Sequence, residues 1–310
     1  MAGWSEWVGK ALGRQNLEAN VNAVQAATPG AASSAVDTAA PPQVEAQPAM
    51  TLPLHMPPLS IETEVDAAQL ARLFAHTEST WTRLGNEEPH WSVLSVERFK
   101  HDQIGANLAE FHASGRGDVE LLLAFLARNG VDPDRLERVL EYGCGLGRVT
   151  RFLADRFPAV QACDISPSHL AQAQHYLTAA GLRNITYQRI ASPADVQGPR
   201  DIDLFFSVIV LQHNPPPTIV ATLKTMLSRL RAGGIAYFQV PTYATGYSFD
   251  LNDYLARGLE SEHVEMHCVP QQRVFQVAAE AGCDVLEVRE DDWVGRRHLE
   301  LSNTFLLRRR

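Results

Sequence analysis

The chain lacks any run of 18 apolar residues, which excludes a membrane-spanning helix, since such a helix needs about 20. Paired cysteines are missing too. Cys144, Cys163, Cys268 and Cys283 show no C-x-x-C pair and no metal-type spacing. Buried, reduced thiols in a cytoplasmic protein are the expectation, with no metal. Basic charge is scarce: the formal net charge is −9, and the only basic cluster is Arg308-Arg309-Arg310. That argues against a nucleic-acid footprint. Near Met1 the charges are scattered and no apolar core of signal-peptide length occurs, so no secretion signal is expected. Aromatics are almost absent between Gln15 and Pro58, a stretch rich in Ala, Pro, Val, Gln and Thr. Such a segment buries too little surface to offset the entropy of ordering, so residues 1–58 are read as a disordered leader. No internal repeat is found.

The leader carries one feature. Trp4, Val8 and Leu12 recur every four residues, with Trp7 and Ala11 beside them, which predicts a short amphipathic helix over 1–14. An isolated helix of that length is marginal in water and needs a partner. The segment is therefore either a frayed terminus or a docking peptide for a protein partner.

Helical patterning begins at Ile61. Val65, Leu70, Leu73 and Phe74 mark one segment, Phe99, Ile104, Leu108 and Phe111 a second, and Leu121 to Leu126 a third that stops at Gly130. Trp81 and Trp91 flank a polar turn between the first two. Residues 59–117 are read as a helical cap. After Arg135, strand-like runs at 138–142, 159–164, 185–190, 202–209 and 235–240 alternate with helical stretches such as 168–180 and 218–231. Ser166-Pro167 is a good helix start, a hydroxyl cap followed by a proline whose missing N–H costs nothing there. Gly233-Gly234 reads as the stop of the 218–231 helix. Strand–helix alternation implies a largely parallel sheet covered on both faces.

The chemistry concentrates in Glu141-Tyr142-Gly143-Cys144-Gly145-Leu146-Gly147-Arg148, where a strand ends in a glycine turn and opens into a helix. A turn without Cβ atoms lets a ligand approach the backbone closely. A dinucleotide fingerprint, G-x-G-x-x-G, would need its third glycine where Arg148 stands. The acidic Glu141 also suits a pyrophosphate poorly and an ammonium with a neighbouring sulfonium well. The segment resembles the first motif of class I S-adenosylmethionine-dependent methyltransferases, E/D-x-G-x-G-x-G. By that resemblance Gly143, Cys144, Gly145 and Gly147 would line the methionine part of S-adenosyl-L-methionine, and Glu141 would meet it directly or through water.

The second strand ends in Asp164-Ile165-Ser166, similar to the family's second motif. An acidic side chain there can accept from both ribose hydroxyls, with Ile165 beside it. Asp164 could instead serve only as a carboxylate at a helix N-terminus. "DIDLFFSVIVLQHNPPP" resembles the fourth motif, bringing in Ser207. The adenine position departs from the family pattern, leaving Ser192, Asp195 or backbone. The resemblance spans about 118–310. It implies a Rossmann-like, doubly wound, seven-stranded mixed α/β sheet with the last strand antiparallel.

Methyl transfer depends on proximity and orientation, and needs a base only where the acceptor must lose a proton. His213, at the carboxyl end of the fourth strand, is the candidate base, or else a loop histidine that packs against the cofactor. Tyr243, Tyr247, Tyr254, His263 and His267 follow the fifth strand and could line an acceptor pocket. The expectation is a small-molecule acceptor, with a sugar or another biosynthetic intermediate in view from a loose likeness to polysaccharide-associated methyltransferases. Two rivals remain: an NAD(P)-dependent oxidoreductase, and a non-catalytic methyltransferase fold recruited through Trp4 and Trp7.

Overall fold

A computed structural model describes residues 52, 55–198, 200–256, 264–294 and 299–310. The helix expected at 1–14 and His263 lie outside the described residues, as does nearly all of the leader.

Seven strands form one sheet: β1 (Arg138–Tyr142), β2 (Ala159–Asp164), β3 (Ile185–Arg189), β4 (Ile202–Ser207), β5 (Leu230–Ala244), β6 (Cys283–Asp291) and β7 (Glu300–Arg309). Their order is β3-β2-β1-β4-β5-β7-β6. The first five pair in parallel, and β7 lies antiparallel to both β5 and β6. This is the doubly wound mixed sheet the glycine motif implied. The order reverses at β1/β4, and in such sheets the crevice at the carboxyl ends of the strands beside that switch point is where ligands bind.

Alternate residues of each central strand face opposite cores. Leu140, Phe205, Phe238 and Phe305 join one cluster, and Val139, Leu204, Tyr237 and Leu306 join the other. Burial on both faces explains why β4 reads as an unbroken apolar run rather than an alternating one. Helices α1 (Ala67–Glu87), α2 (Pro89–Val93), α3 (Ile104–Ala113) and α4 (Gly115–Arg128) precede the sheet. Helix α5 (Thr150–Arg156) follows β1 and α6 (Pro167–Ala179) follows β2. Then α7 (Pro216–Arg229) follows β4, and α8 (Leu251–Ala256) and α9 (Gln271–Glu280) follow β5. Among the described residues, no helix is long and apolar enough to cross a membrane.

Helix α1 starts with a capping box: the Asp66 carboxylate accepts from Gln69 N–H, and the Gln69 side chain accepts from Asp66 N–H. Its buried residue Phe74 joins a core of the sheet, while Leu73 packs with Phe249 and Leu251 from beyond β5. The cap is thus built onto the sheet domain from two directions.

Several boundaries differ from expectation. Helix α1 runs through Trp81 to Glu87, where a polar turn was expected, and β5 is longer at both ends than 235–240. Two further differences have a clear cause. The helix expected over 218–231 ends at Arg229, because Leu230 already pairs with Ile202 in parallel. Gly233-Gly234 therefore forms a bulge in β5 instead of stopping a helix. Gly233 has φ 78°, and a Cβ at Gly234 would sit 2.9 Å from the Ile202 carbonyl oxygen. Strand β4 ends at Ser207, two residues before the expected end, because Ile209 adopts φ 59° and leaves the extended region.

Candidate functional site

The glycine loop between β1 and α5 is pinned from below by β2. Gly143 N–H and Cys144 N–H both donate to the Cys163 carbonyl, at 2.8 and 2.9 Å. Gly143 has φ 81°, and a Cβ there would lie 2.3 Å from Val210 Cγ2. The turn after β4 thus rests directly on the loop, and only glycine fits between them. Gly147 serves a different contact. Its absent Cβ would meet Leu177 Cδ1 at 2.7 Å, so this third glycine lets α6 approach instead of lining the cleft.

Above the loop opens a cleft of about 830 Å³, its mouth included. Glu141, Gly143, Cys144, Gly145, Asp164, Ile165 and His213, all singled out in the sequence, are brought together in its walls. Asp164 is 7% exposed and ties two backbones together: Gly145 N–H donates to Oδ2 at 2.7 Å and Ser166 N–H to Oδ1 at 2.8 Å. Ser166 caps α6, accepting from His169 N–H at 3.3 Å. The cap of α6 is therefore filled by Ser166, and Asp164 stands in the cleft wall, its Oδ1 also 3.9 Å from His169 Nδ1.

Glu141 is buried beside the loop, and its Oε2 has no hydrogen-bond partner. Burial pushes its carboxyl up to about 8, against the opposing pull of the Thr150 hydroxyl and of Arg148, with Asp164 and Asp118 adding to the rise. Arg148 lines the same wall and forms a buried ion pair with Asp118, the acidic residue in the first turn of α4. A buried carboxylate oxygen without a partner is costly, and a cationic ligand group placed against it removes that cost.

His213 stands in the cleft wall, but both ring nitrogens are engaged. Nδ1 lies 2.8 Å from the Glu265 carbonyl, and Nε2 lies 3.2 Å from the Gln212 side-chain nitrogen. Burial lowers its pKa to about 4, so the ring is neutral and weakly basic near pH 7. Action as a base would require Nε2 to give up Gln212.

Ser192 and Ser207 do not line the cleft. Ser207 Oγ donates to the Tyr142 carbonyl at 3.0 Å, stitching β4 to β1 from a fully buried position. Ser192 sits in a capping box where Asp195 Oδ2 accepts from Ala191 N–H, Ser192 N–H and Ser192 Oγ. Both adenine candidates are thus committed to local structure.

Tyr247, Tyr254 and His267 gather instead around Glu265. Tyr254 O–H donates to Glu265 Oε2 at 2.6 Å, His267 Nε2 lies 3.1 Å from it, and Tyr247 Oη lies 2.8 Å from His267 Nδ1. Burial pushes the Glu265 carboxyl up, but hydrogen bonds from His267, His76 and Tyr254 outweigh it and hold the group below the usual carboxylate range. Tyr247 and His267 border a second cavity near the end of β5, and Tyr243 is buried beside it in the strand.

The roof of the cleft comes from the cap, which the sequence reading left out of the site: Thr77 and Trp81 from α1, and Ser92 and Val93 from α2. The Trp81 ring lies 5.4 Å from His213 and 6.4 Å from His169. Ser92 Oγ is 3.1 Å from His169 Nε2, joining cap to α6. The available signal was the tryptophan-bearing helix placed just ahead of a ligand-binding sheet.

Residues 139–234 match a family described as a methyltransferase domain. Over 181 residues the chain is 25% identical to a malonyl-[acyl-carrier protein] O-methyltransferase of Paenibacillus sp. (strain JDR-2), covering 56% of this chain and 64% of that protein. Over 104 residues it is 33% identical to a ubiquinone biosynthesis O-methyltransferase of Idiomarina loihiensis, covering 33% of this chain and 41% of the relative. In both cases less than two thirds of the relative's length is spanned. Among solved structures, the N-methyltransferase NodS from Bradyrhizobium japonicum in complex with S-adenosyl-L-homocysteine aligns with a TM-score of 0.49 and 15% identity. That alignment covers 76% of this chain and 98% of NodS.

Proposed function

The chain carries a methyltransferase domain of the class I, S-adenosylmethionine-dependent type, and on that premise we propose that it transfers a methyl group from this cofactor to a small-molecule acceptor. The observation that carries the reading is the buried, unpartnered Glu141 Oε2 in a cleft whose wall is the glycine loop at Gly143 and Gly145. Glu141 would hold the ammonium of the methionine end, the loop around Gly145 its main chain, and Asp164 the ribose hydroxyls. When bound, the cofactor supplies a methyl group on a sulfonium with a good leaving group. The protein's part is orientation and exclusion of water by Trp81, Val93, Val210 and His213. Because His213 is neutral and engaged at both nitrogens, it serves as a wall against which the acceptor is aligned. Both relatives are O-methyltransferases by name, which favours an oxygen acceptor of biosynthetic origin. A cytoplasmic location fits such an acceptor.

Calorimetric titration with S-adenosylmethionine, S-adenosylhomocysteine and NAD tests the reading. Micromolar binding of both adenosyl ligands is expected, about −8 kcal/mol. Binding of NAD alone would overturn it in favour of an oxidoreductase.

A pH dependence follows from Glu141. Its folded-state pKa is raised from 4.5 to about 8, so the free protein is most stable when the group is protonated and loses stability as pH rises through that window. An ammonium partner favours the ionised form, so binding expels a proton. Affinity for S-adenosylhomocysteine should rise up to about tenfold between pH 6 and 7 and level off above about pH 8, where Glu141 is already ionised in the free protein. Titrations in two buffers of different ionisation heat would show the released proton, and Glu141→Gln should abolish both the release and the slope.

A further inference from the structure

We propose that Gln239 is a positioning residue for the cofactor cleft, fixing through its side-chain amide both the left-handed backbone of Ile209 and the ring orientation of His213. The inference rests on the methyltransferase reading for its purpose, but its geometry stands apart from it.

Ile209, at φ 59°, is the one non-glycine residue with positive φ among the described residues. A β-branched side chain disfavours that conformation, and it persists only where the surroundings over-determine it. Ile209 lies in the cleft wall between Val208 and Val210, and Val210 is the residue whose methyl groups sit against Gly143. The backbone reversal at Ile209 therefore seats the turn after β4 onto the glycine loop.

What holds it is Gln239, fully buried in the middle of β5. Ile209 N–H donates to Gln239 Oε1 at 3.0 Å. A backbone N–H can only donate, so the oxygen of the Gln239 amide must face Ile209 and its nitrogen must face the other way. That nitrogen has two hydrogens and two acceptors, Gln212 Oε1 at 2.9 Å and Ser302 Oγ at 2.8 Å. Gln212 must then turn its own nitrogen toward His213 Nε2, 3.2 Å away, which makes Nε2 the accepting nitrogen. The ring proton is left on Nδ1, where it donates to the Glu265 carbonyl at 2.8 Å. A backbone N–H at one end and the Glu265 carbonyl at the other thus impose one polarity on the whole chain and one tautomer on the ring in the cleft. Buried networks of this kind are stable only when every member is satisfied, and here every member of the Gln239 amide is.

Two measurements test the assignment. Nitrogen NMR of labelled histidine should show His213 as the Nδ1–H tautomer in the wild type. In Gln239→Glu, once residue 239 is ionised it can no longer donate to Gln212, so Gln212 should reverse and present its oxygen to His213 Nε2. With Nδ1–H still held by the Glu265 carbonyl, the ring should gain a proton on Nε2. A His213 ring that keeps a bare Nε2 at a pH where the introduced carboxylate is ionised would overturn the proposal, whether or not any cofactor binds. Separately, Gln239→Met removes the acceptor for Ile209 N–H and should weaken S-adenosylhomocysteine binding by about tenfold or more. Adding Ile209→Gly in that background should recover most of the loss, because glycine adopts positive φ unaided. Equal affinity of Gln239→Met and wild type, or a folded double variant that recovers nothing, would overturn the positioning role. If the wild type binds no S-adenosylhomocysteine, the methyltransferase reading fails, and the tautomer measurement still decides the clamp.

Discussion

Asp164→Ala is expected to weaken S-adenosylhomocysteine binding by at least about 100-fold, the equivalent of two lost hydrogen bonds to a charged group. The carboxylate does two things at once. Its oxygens accept from Gly145 N–H and Ser166 N–H, fixing the glycine loop to the start of α6, and the carboxylate lines the cleft. Alanine removes both functions and leaves two buried N–H groups without partners, each costing about 1–3 kcal/mol. Asparagine is no gentle substitute, since both oxygens of Asp164 are acceptors and an amide nitrogen cannot accept from either N–H. Asp164→Asn should therefore fall close to Asp164→Ala in titration. The rival role, a carboxylate serving only the N-terminus of α6, predicts lower stability with ligand affinity intact. Thermal unfolding and titration on the same variant separate the two.

Much of this site was legible in the sequence because its signals are local. β1 and β2 fall where expected: each is an apolar run closed by a residue with a clear local meaning, Gly143 for the first and Ser166-Pro167 for the second. The glycine spacing and the acidic strand ends located one wall of the cleft for the same reason. The errors come from contacts made far along the chain. Gly233-Gly234 reads locally as a helix stop. Only the pairing of Leu230 with Ile202 turns it into a bulge, and that pairing depends on a strand 28 residues earlier. Strand β4 stops at Ser207 because Gln239, 30 residues on, captures Ile209 N–H.

Ser207 and Ser192 carry hydroxyls in the right neighbourhood, yet their partners are Tyr142 and Asp195. Nothing in a one-dimensional pattern separates a hydroxyl that faces a ligand from one that ties two strands together. The cap shows the same limit. Trp81 stands out by residue type, but its place over His213 depends on how α1 docks against α6 and α7, which is set by side chains such as Phe74 scattered along the helix. His213 itself was legible as a cleft residue, but its two hydrogen-bond partners, Gln212 and Glu265, were not, the second lying 52 residues away.

Asp118→Ala is expected to destabilise the fold by about 3–5 kcal/mol, measured by urea unfolding, because it strands a buried guanidinium. The side chains of Arg148 and Asp118 are 6% and 3% exposed, so water cannot replace the lost partner. Arg148 also lies within electrostatic reach of Glu141, whose Oε2 is unpartnered. Released from Asp118, the guanidinium should turn toward Glu141 and occupy the place proposed for the cofactor's ammonium. Ligand affinity should therefore fall together with stability, and the pH slope assigned to Glu141 should flatten, since a nearby cation keeps that carboxylate ionised. The double replacement Asp118→Leu with Arg148→Met removes both charges and fills a similar volume, so most of the stability should return. If stability returns and affinity returns with it, Arg148 acts in the site only through its pairing. If stability returns while affinity stays low, the guanidinium itself contacts the ligand, and the methionine carboxylate is the group its geometry suits.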